Sequence, residues 1–376
     1  MLNIFKNKDP QINSYEDFWN WFLQNEKAFF KILKSHEEVE KNFLDKVFFQ
    51  LNKINNAIFL MAGMHDGETA EVIFSPDGSI KNVVFTEELI AAAPSLKRWR
   101  FTALKPATFE ASIDFDGHIF SRRDLSFVVN QTESRPDEID ISVIYPGIDE
   151  SNASSITNGI YIFLDNFLGE LNAITMLDSV QVIPEPEAWA EIIPMEKLKE
   201  YLLWREKEFV EKYDGTRRNT EEDAYATYQS QLEDGTPLIA LFNTDLLEWD
   251  AKASHPWIIR IEIAYNGDDF NGMPDTGDYA LINELEQSLM DHLQDADGYL
   301  NVGRETGDNS CEIYFACKEF RESSKIVSEV LSNFANVLEV DYHIYKDKYW
   351  QSLDRFRFAE DADDDDFNED DDFNED

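Results

Sequence analysis

Between residues 257 and 345 the apolar positions change period in a way that marks out successive elements. Residues 257–265, WIIRIEIAY, alternate, with Ile259, Ile261 and Ile263 on one side and Arg260 and Glu262 on the other, as in a half-buried strand. In 279–293, Leu281, Leu285, Leu289 and Leu293 recur every four residues beside Ile282 and Met290, which predicts a helix burying one stripe. Two strands follow, 299–305 and 311–317, joined by Thr306-Gly307-Asp308-Asn309-Ser310, residues that suit a hairpin turn. A second helix over 323–336 carries Ile326, Val327, Val330, Leu331 and Phe334 on one face, and 338–345 reads as the last strand. The order β-α-β-β-α-β predicts a split βαβ, ferredoxin-like domain, an antiparallel sheet with both helices on one face. Tyr314 and Phe315, adjacent on one strand, are expected on opposite faces of that sheet.

The first half of the chain is less regular. Ser14, three residues before Asp17, is a helix N-cap signal ahead of Phe18, Phe22, Phe29 and Ile32, and a second helix is expected over 39–54 with Phe43, Val47 and Leu51. Strands are predicted at 57–61 and 70–74, the latter ending in the turn Ser75-Pro76-Asp77-Gly78. Further on come a short helix over 86–93, strands at 99–104, 126–130 and 139–145, a helix over 155–171 that spans Gly159 and Gly169, and a strand at 179–183. A loosely similar order of strands and helices invites comparison with the second half, without matching residues to support duplication. Residues 194–213 predict a charged helix with Pro194 near its first turn, and 214–223 an exposed linker.

The fold class expected is therefore α+β: an N-terminal α+β domain over 1–190, a bridging helix and linker over 191–222, the ferredoxin-like domain over 223–358, and an acidic tail over 359–376. The tail repeats Asp-Asp-Phe-Asn-Glu-Asp and holds 12 carboxylates, which repel one another and offer little to bury, so it is expected to be disordered.

Gly272-Met273-Pro274, Glu284 and Glu286, Val302-Gly303-Arg304, Thr306-Gly307 and Glu312-Ile313-Tyr314-Phe315 together resemble the pattern of the bacterial domain of unknown function 695, with Tyr225, Tyr228, Asp234-Gly235-Thr236-Pro237, Asp347 and Trp350 extending the likeness. The sequence departs from that pattern at Tyr225, Gln287 and Leu353, where tryptophan, an acid and tyrosine are expected. The resemblance covers about a third of the chain, and because the family has no established activity it implies fold more than function. In topology and composition the chain also resembles, more distantly, the regulator of ribonuclease E activity B, an acidic inhibitor with a ferredoxin-like fold and an acidic tail.

Charge narrows the partners. With 33 Lys and Arg against 76 Asp and Glu, a formal charge of -43 repels nucleic acid and anionic membrane and favours a basic protein partner, or serves solubility alone. With 43% hydrophobic residues the 376-residue chain can nonetheless bury a sizeable core. Cys311 and Cys317 lie six apart on one expected strand, roughly 20 Å at about 3.3 Å per residue, too far for an intrachain disulfide. No apolar run is long enough to span a bilayer and no leader pattern opens the chain, so a cytoplasmic protein is expected.

Chemical signatures are sparse. The six histidines have no paired-ligand spacing, no glycine-rich loop ends in Lys-Ser or Lys-Thr, and there is no Gly-x-Ser-x-Gly elbow, so neither a cofactor nor a metal is expected. Residues 266–278 hold four aspartates but fail as a calcium loop, since Gly272 at the sixth position puts Gly267 at the first. His65-Asp66 with Glu68, and Asp116 with His118, read as turns built on Gly67 and Gly117. The binding candidates are Arg304, Glu305, Asp308 and Glu312 around the hairpin, and Phe367 and Phe373 in the tail. Arg304 is suited to clamping a carboxylate or anion, or to holding the hairpin to an acid such as Glu312. Two functions follow: a non-enzymatic interaction or regulatory protein that binds a basic partner through its acidic surface and tail, or an enzyme of unrecognised class with carboxylates and Arg304 in an interdomain cleft. Self-association through a sheet edge is a third, unless residues 237–243 cover that edge as a strand.

Overall fold

The structure, a computed structural model, describes residues 11–187 and 190–357. Phe367, Phe373 and the acidic tail therefore lie outside the described residues. The chain divides into two compact units, Met1–Glu208 and Phe209–Asp376, and its class is mixed α+β.

The first unit opens with α1 (Tyr15–Ser35), whose N-cap Ser14 accepts a hydrogen bond from the Asp17 N–H at 3.1 Å. Its buried face carries Phe18, Trp19, Phe22, Phe29, Phe30 and Leu33, which join Phe43, Phe74 and Trp99 in an aromatic-rich core. A single π turn, Glu40–Leu44, runs into α2 (Asp45–Leu51). β1 (Phe59–Met64), β2 (Ala70–Ser75) and β3 (Trp99–Ala103) form one sheet, with α3 (Ile80–Ala91) between the last two strands. The hairpin of β4 (Ser112–Phe115) and β5 (His118–Ser121) and a second sheet of β6 (Ser126–Asn130), β7 (Asp140–Ile144), β8 (Ser179–Ile183) and β9 (Ile193–Pro194) complete the strands. α4 (Ala153–Leu168) and α5 (Glu170–Met176) contribute to a separate core with Phe120, Phe127, Ile141 and Val143. In α6 (Leu198–Tyr213), Leu198 and Leu202 belong to that same core.

Three local readings are corrected here. The helix expected over 86–93 starts at Ile80. Its polar residues are satisfied internally, Asn82 Nδ2 donating to Ser79 Oγ at 2.9 Å and Thr86 Oγ1 to the Asn82 carbonyl at 2.9 Å, while Ile80, Val83 and Val84 supply the buried face. The helix expected over 155–171 ends at Leu168, because Gly169 adopts φ 83° with the Ala107 backbone nitrogen only 2.9 Å from where a Cβ would stand. The segment around Asp116 and Gly117, expected as a turn alone, belongs to the β4–β5 hairpin, of which Asp116 (φ 52°) and Gly117 (φ 79°) form the two-residue connection. The two units also differ in topology. The first contains the parallel pairs β2–β3 and β7–β8, whereas every pairing in the second is antiparallel.

The second unit is one six-stranded sheet in the order β10 (Tyr225–Gln231), β11 (Pro237–Asn243), β13 (Tyr299–Gly307), β14 (Ser310–Cys317), β12 (Trp257–Ala264), β15 (Glu339–Lys346). The short helix α7 (Thr244–Leu247) follows β11, α8 (Thr276–His292) connects β12 to β13, and α9 (Arg321–Phe334) connects β14 to β15. Asp275 caps α8 by accepting from the Gly277 and Asp278 N–H groups, so the aspartate-rich loop serves to enter a helix. Asp308 (φ 51°) and Asn309 (φ 63°) make the two-residue turn between β13 and β14, both in the left-handed conformation such a hairpin requires. β11 pairs with β13, so residues 237–243 cover the edge that the hairpin would otherwise expose.

Candidate functional site

Alternation along the strands of the second sheet gives its two faces different chemistry. Ile259, Ile261, Ile263, Ile313 and Phe315 are fully buried on the face that also holds Arg304. Ile282, Leu285 and Leu289 of α8 and Val327, Val330 and Leu331 of α9 are the buried helix stripes. The opposite face is itself divided. One half packs Ala240, Phe242, Ile258, Leu300 and Ala316 beneath Leu246, Leu247, Trp350, Leu353 and Phe356. The other half is polar and open, and is where Tyr314 reaches its edge.

Across this open half runs a row of four carboxylates on four adjacent strands. Glu305 of β13 is opposite Glu312 of β14, Glu312 is opposite Glu262 of β12, and Glu262 is opposite Asp341 of β15. Glu339 lies at the rim, and Glu262, Glu312, Glu339 and Asp341 line an open hollow of about 370 Å³. Like charges placed directly opposite one another in a sheet are destabilising, and positive groups stand among these acids. Arg355 Nη2 donates to Glu305 Oε1 at 3.1 Å and to the Tyr314 hydroxyl at 3.3 Å. Arg260 pairs with Glu262 and stands 3.9 Å from Glu312 Oε1, and the Tyr314 hydroxyl donates to Glu312 Oε2. His343 Nε2 is 3.8 Å from Glu262 Oε1. Glu305, Glu312 and Glu262 thus share two guanidinium groups. Burial raises the Glu305 carboxyl above its ordinary range, Arg355 lowers it and the neighbouring Glu312 adds to the rise. Burial, reinforced by Glu312, likewise raises the Tyr314 phenol.

The structure separates the hairpin residues singled out from sequence. Glu305 and Glu312 belong to the open row, Asp308 to the turn, and Arg304 to the other face. There Arg304 Nη1 donates to Glu286 Oε2 at 2.7 Å and Asn283 Oδ1 at 2.8 Å, and its Nη2 to the Tyr279 hydroxyl at 3.3 Å. The acid it holds is therefore Glu286 of α8 and not Glu312, because adjacent residues on a strand point to opposite faces and 304 and 312 differ in parity across the pairing. Truncation with Arg304→Ala is expected to destabilise the second unit by about 2 kcal/mol, since it leaves a largely buried Glu286 without its partner. Urea denaturation checks this. A basic peptide's affinity should not change in the folded variant.

Sequence reasoning missed Glu262, Asp341, Arg260 and Arg355. The first three sit at outward positions of recognisable strands, and only the strand order brings them beside Glu312. Cys311 and Cys317 are free and buried. Burial pushes the Cys311 thiol up to about 11 and raises that of Cys317 too, so neither is a poised thiolate. Among the described residues, no group of three or more His, Cys, Asp or Glu side chains is placed to hold a metal ion. Nor, among them, is any helix long and apolar enough to cross a membrane.

An antiparallel sheet with one helix-covered face and a carboxylate row on the other defines this unit as an α+β domain with a polar sheet surface. Residues 223–356 match the family model of DUF695, a family of unknown function. No curated protein and no solved structure matches the chain.

Proposed function

We propose that this is a non-enzymatic interaction protein whose second unit binds a basic segment of a protein partner on the open sheet face, with the acidic tail extending the same field. The observation that carries the reading is the row Glu305, Glu312, Glu262, Asp341. Neighbouring strands lie about 4.8 Å apart, so the row spans roughly 15 Å, a length over which several lysine or arginine side chains of an extended segment can be received. Within the row Glu305, Glu312 and Glu262 share Arg355 and Arg260, and an incoming guanidinium or ammonium relieves the repulsion between opposed carboxylates. The formal charge of -43 over the whole chain also speeds encounter with a basic partner. The ferredoxin-like assignment belongs to this reading. It is supported by the order β13-β14-β12-β15 with antiparallel neighbours and helices after the first and third of the four strands in chain order. A cytoplasmic setting is supported by two free, buried cysteines.

The test is fluorescence-anisotropy titration of the full chain with a labelled dodecapeptide containing alternate arginines, alongside an uncharged peptide of equal length. The Glu262→Gln/Asp341→Asn double variant removes two outward, substantially exposed carboxylates and should weaken binding of the arginine peptide about tenfold, a change of about 1.4 kcal/mol. High salt should weaken it as well. Equal affinity in the double variant, with loss only when the chain is cut after Phe358, would assign binding to the tail and remove the sheet face from the proposal.

A further inference from the structure

We propose that the first unit holds a separate binding site for a small amphipathic organic cation, an ammonium group on a compact apolar body. The site is a cavity of about 610 Å³ framed by α4, α5, the start of β8 and the turn after β2. That volume is in the range that takes small organic ligands. Its walls are apolar, formed by Ile162, Leu164, Ala173, Ile174, Leu177 and Val180. Tyr161 and Ile162 stay substantially exposed at 50% and 37%, leaving apolar surface at the cavity that the fold itself does not cover.

The charged lining is one ammonium, Lys105, against three carboxylates, Asp77, Asp165 and Asp178. Lys105 Nζ lies 3.0 Å from Asp165 Oδ2 and 3.8 Å from Asp77 Oδ1. Asp178 Oδ2 accepts from the Ile139 N–H at 2.7 Å. Asp165 and Asp77 alone outnumber Lys105 two to one. The excess is negative and acceptor-rich, which selects a donor with positive charge over a carboxylate or phosphate. Asp165 is only 21% exposed, so a cation meeting its carboxylate is largely out of water, where the attraction is strongest.

The polar end is held in place from beneath. Glu170, 1% exposed, uses both oxygens: Oε1 accepts from Ser75 Oγ at 2.7 Å and the Gly78 N–H at 3.2 Å, and Oε2 accepts from the Lys105 N–H at 3.0 Å. One fully satisfied carboxylate thus ties the turn after β2, the segment after β3 and the start of α5 together. The Lys105–Asp165 pair sits on this support. A site organised before its ligand arrives loses less freedom on binding.

The probes are 2-phenylethylammonium and 3-phenylpropionate, similar in size and opposite in charge, titrated into the full chain and followed by ligand-observed NMR. The ammonium is expected to bind saturably, and the carboxylate is not. Asp165→Asn should weaken the ammonium at least tenfold. Ile174→Trp, which fills the cavity without altering any charge, should abolish binding, and so separates the cavity from general attraction to an acidic chain. Equal binding of both probes, no binding of either, or ammonium binding that survives Ile174→Trp in a folded protein would overturn the proposal.

Discussion

Gly303→Ala is expected to destabilise the second unit by about 4 kcal/mol, the largest loss from a one-carbon change considered for this chain. Gly303 follows a bulge in β13, where the register with β14 shifts between Asn301 and Gly303, and its φ is 149°. Only glycine occupies that region without strain, and backbone strain of this kind is worth on the order of 1–3 kcal/mol. There is also no room. An added Cβ would stand 2.4 Å from the Leu241 carbonyl oxygen and 2.7 Å from the Phe242 Cα. Both are backbone atoms of the paired strand β11, so the clash cannot be relieved by rotating a side chain. Phe242 is itself fully buried, its ring stacked at 3.8 Å on Phe356 and its Cδ1 2.7 Å from the added Cβ. Overpacking against such a neighbour adds about 1–3 kcal/mol. Gly63→Ala, where a Cβ meets nothing within 4 Å, is the matched control and should stay within about 0.5 kcal/mol of the parent. Urea denaturation, with hydrogen exchange at the β11 and β13 amides, reads both. A loss below about 1 kcal/mol at Gly303 would mean that β11 is free to move away.

The second large effect is a loss of stability on acidification that originates at His255. The side chain is fully buried, its Nδ1 lies 2.8 Å from Ser254 Oγ, and its Nε2 has no hydrogen-bond partner among the described residues. Burial, with Lys318 and Arg217 adding positive charge nearby, pushes its pKa down from 6.5 to about 3. The folded protein therefore refuses a proton that the unfolded chain accepts below pH 6.5. Stability is fully present above that pH and falls as pH drops from 6.5 toward 3, by on the order of 4 kcal/mol across the window. Other groups titrate in the same range, so the informative quantity is a difference. Between pH 6 and 4.5 the parent should lose about 2 kcal/mol more than His255→Gln, which carries no titrating ring. Ring resonances of His255 should meanwhile show no protonation above pH 5. A ring that titrates near 6.5 in the folded protein would remove the basis of this expectation.

Both predictions concern atoms whose surroundings come from distant parts of the chain, and the same division runs through the whole molecule. Most elements between residues 257 and 346 are legible because each carries its own periodicity, whereas β10 and α7 are seen only in the structure. Ile259, Ile261 and Ile263 declare a strand, Leu285 and Leu289 a helix stripe, and Gly307-Asp308-Asn309 a hairpin, all through interactions between residues close in sequence. Ser14 as N-cap of α1 is legible for the same reason. Where local signals compete, sequence reading failed. Locally Gly169 reads as a tolerated helix residue, and the contact with Ala107 at its break lies 62 positions away. Asp116-Gly117 carried a hairpin signal, but the short strands beside it, SIDF and HIFS, are too brief for alternation to stand out.

The sequence by itself determined the composition of each strand face, the excess of acid over base, and the family pattern over the last third. Only the tertiary structure decided which acids meet. Glu262, Glu312 and Asp341 are separated by as much as 79 positions, and a β-ladder places them side by side through strand order, which no periodicity encodes. Parity sent Arg304 to the helix face and Glu305 to the open one, although they are neighbours in the chain. The cavity beside Lys105 likewise depends on long-range packing, Glu170 being bonded to residues 65 and 95 positions away. Chemistry along a chain follows local spacing, whereas a site requires convergence, and convergence is set by packing and by strand pairing at long range.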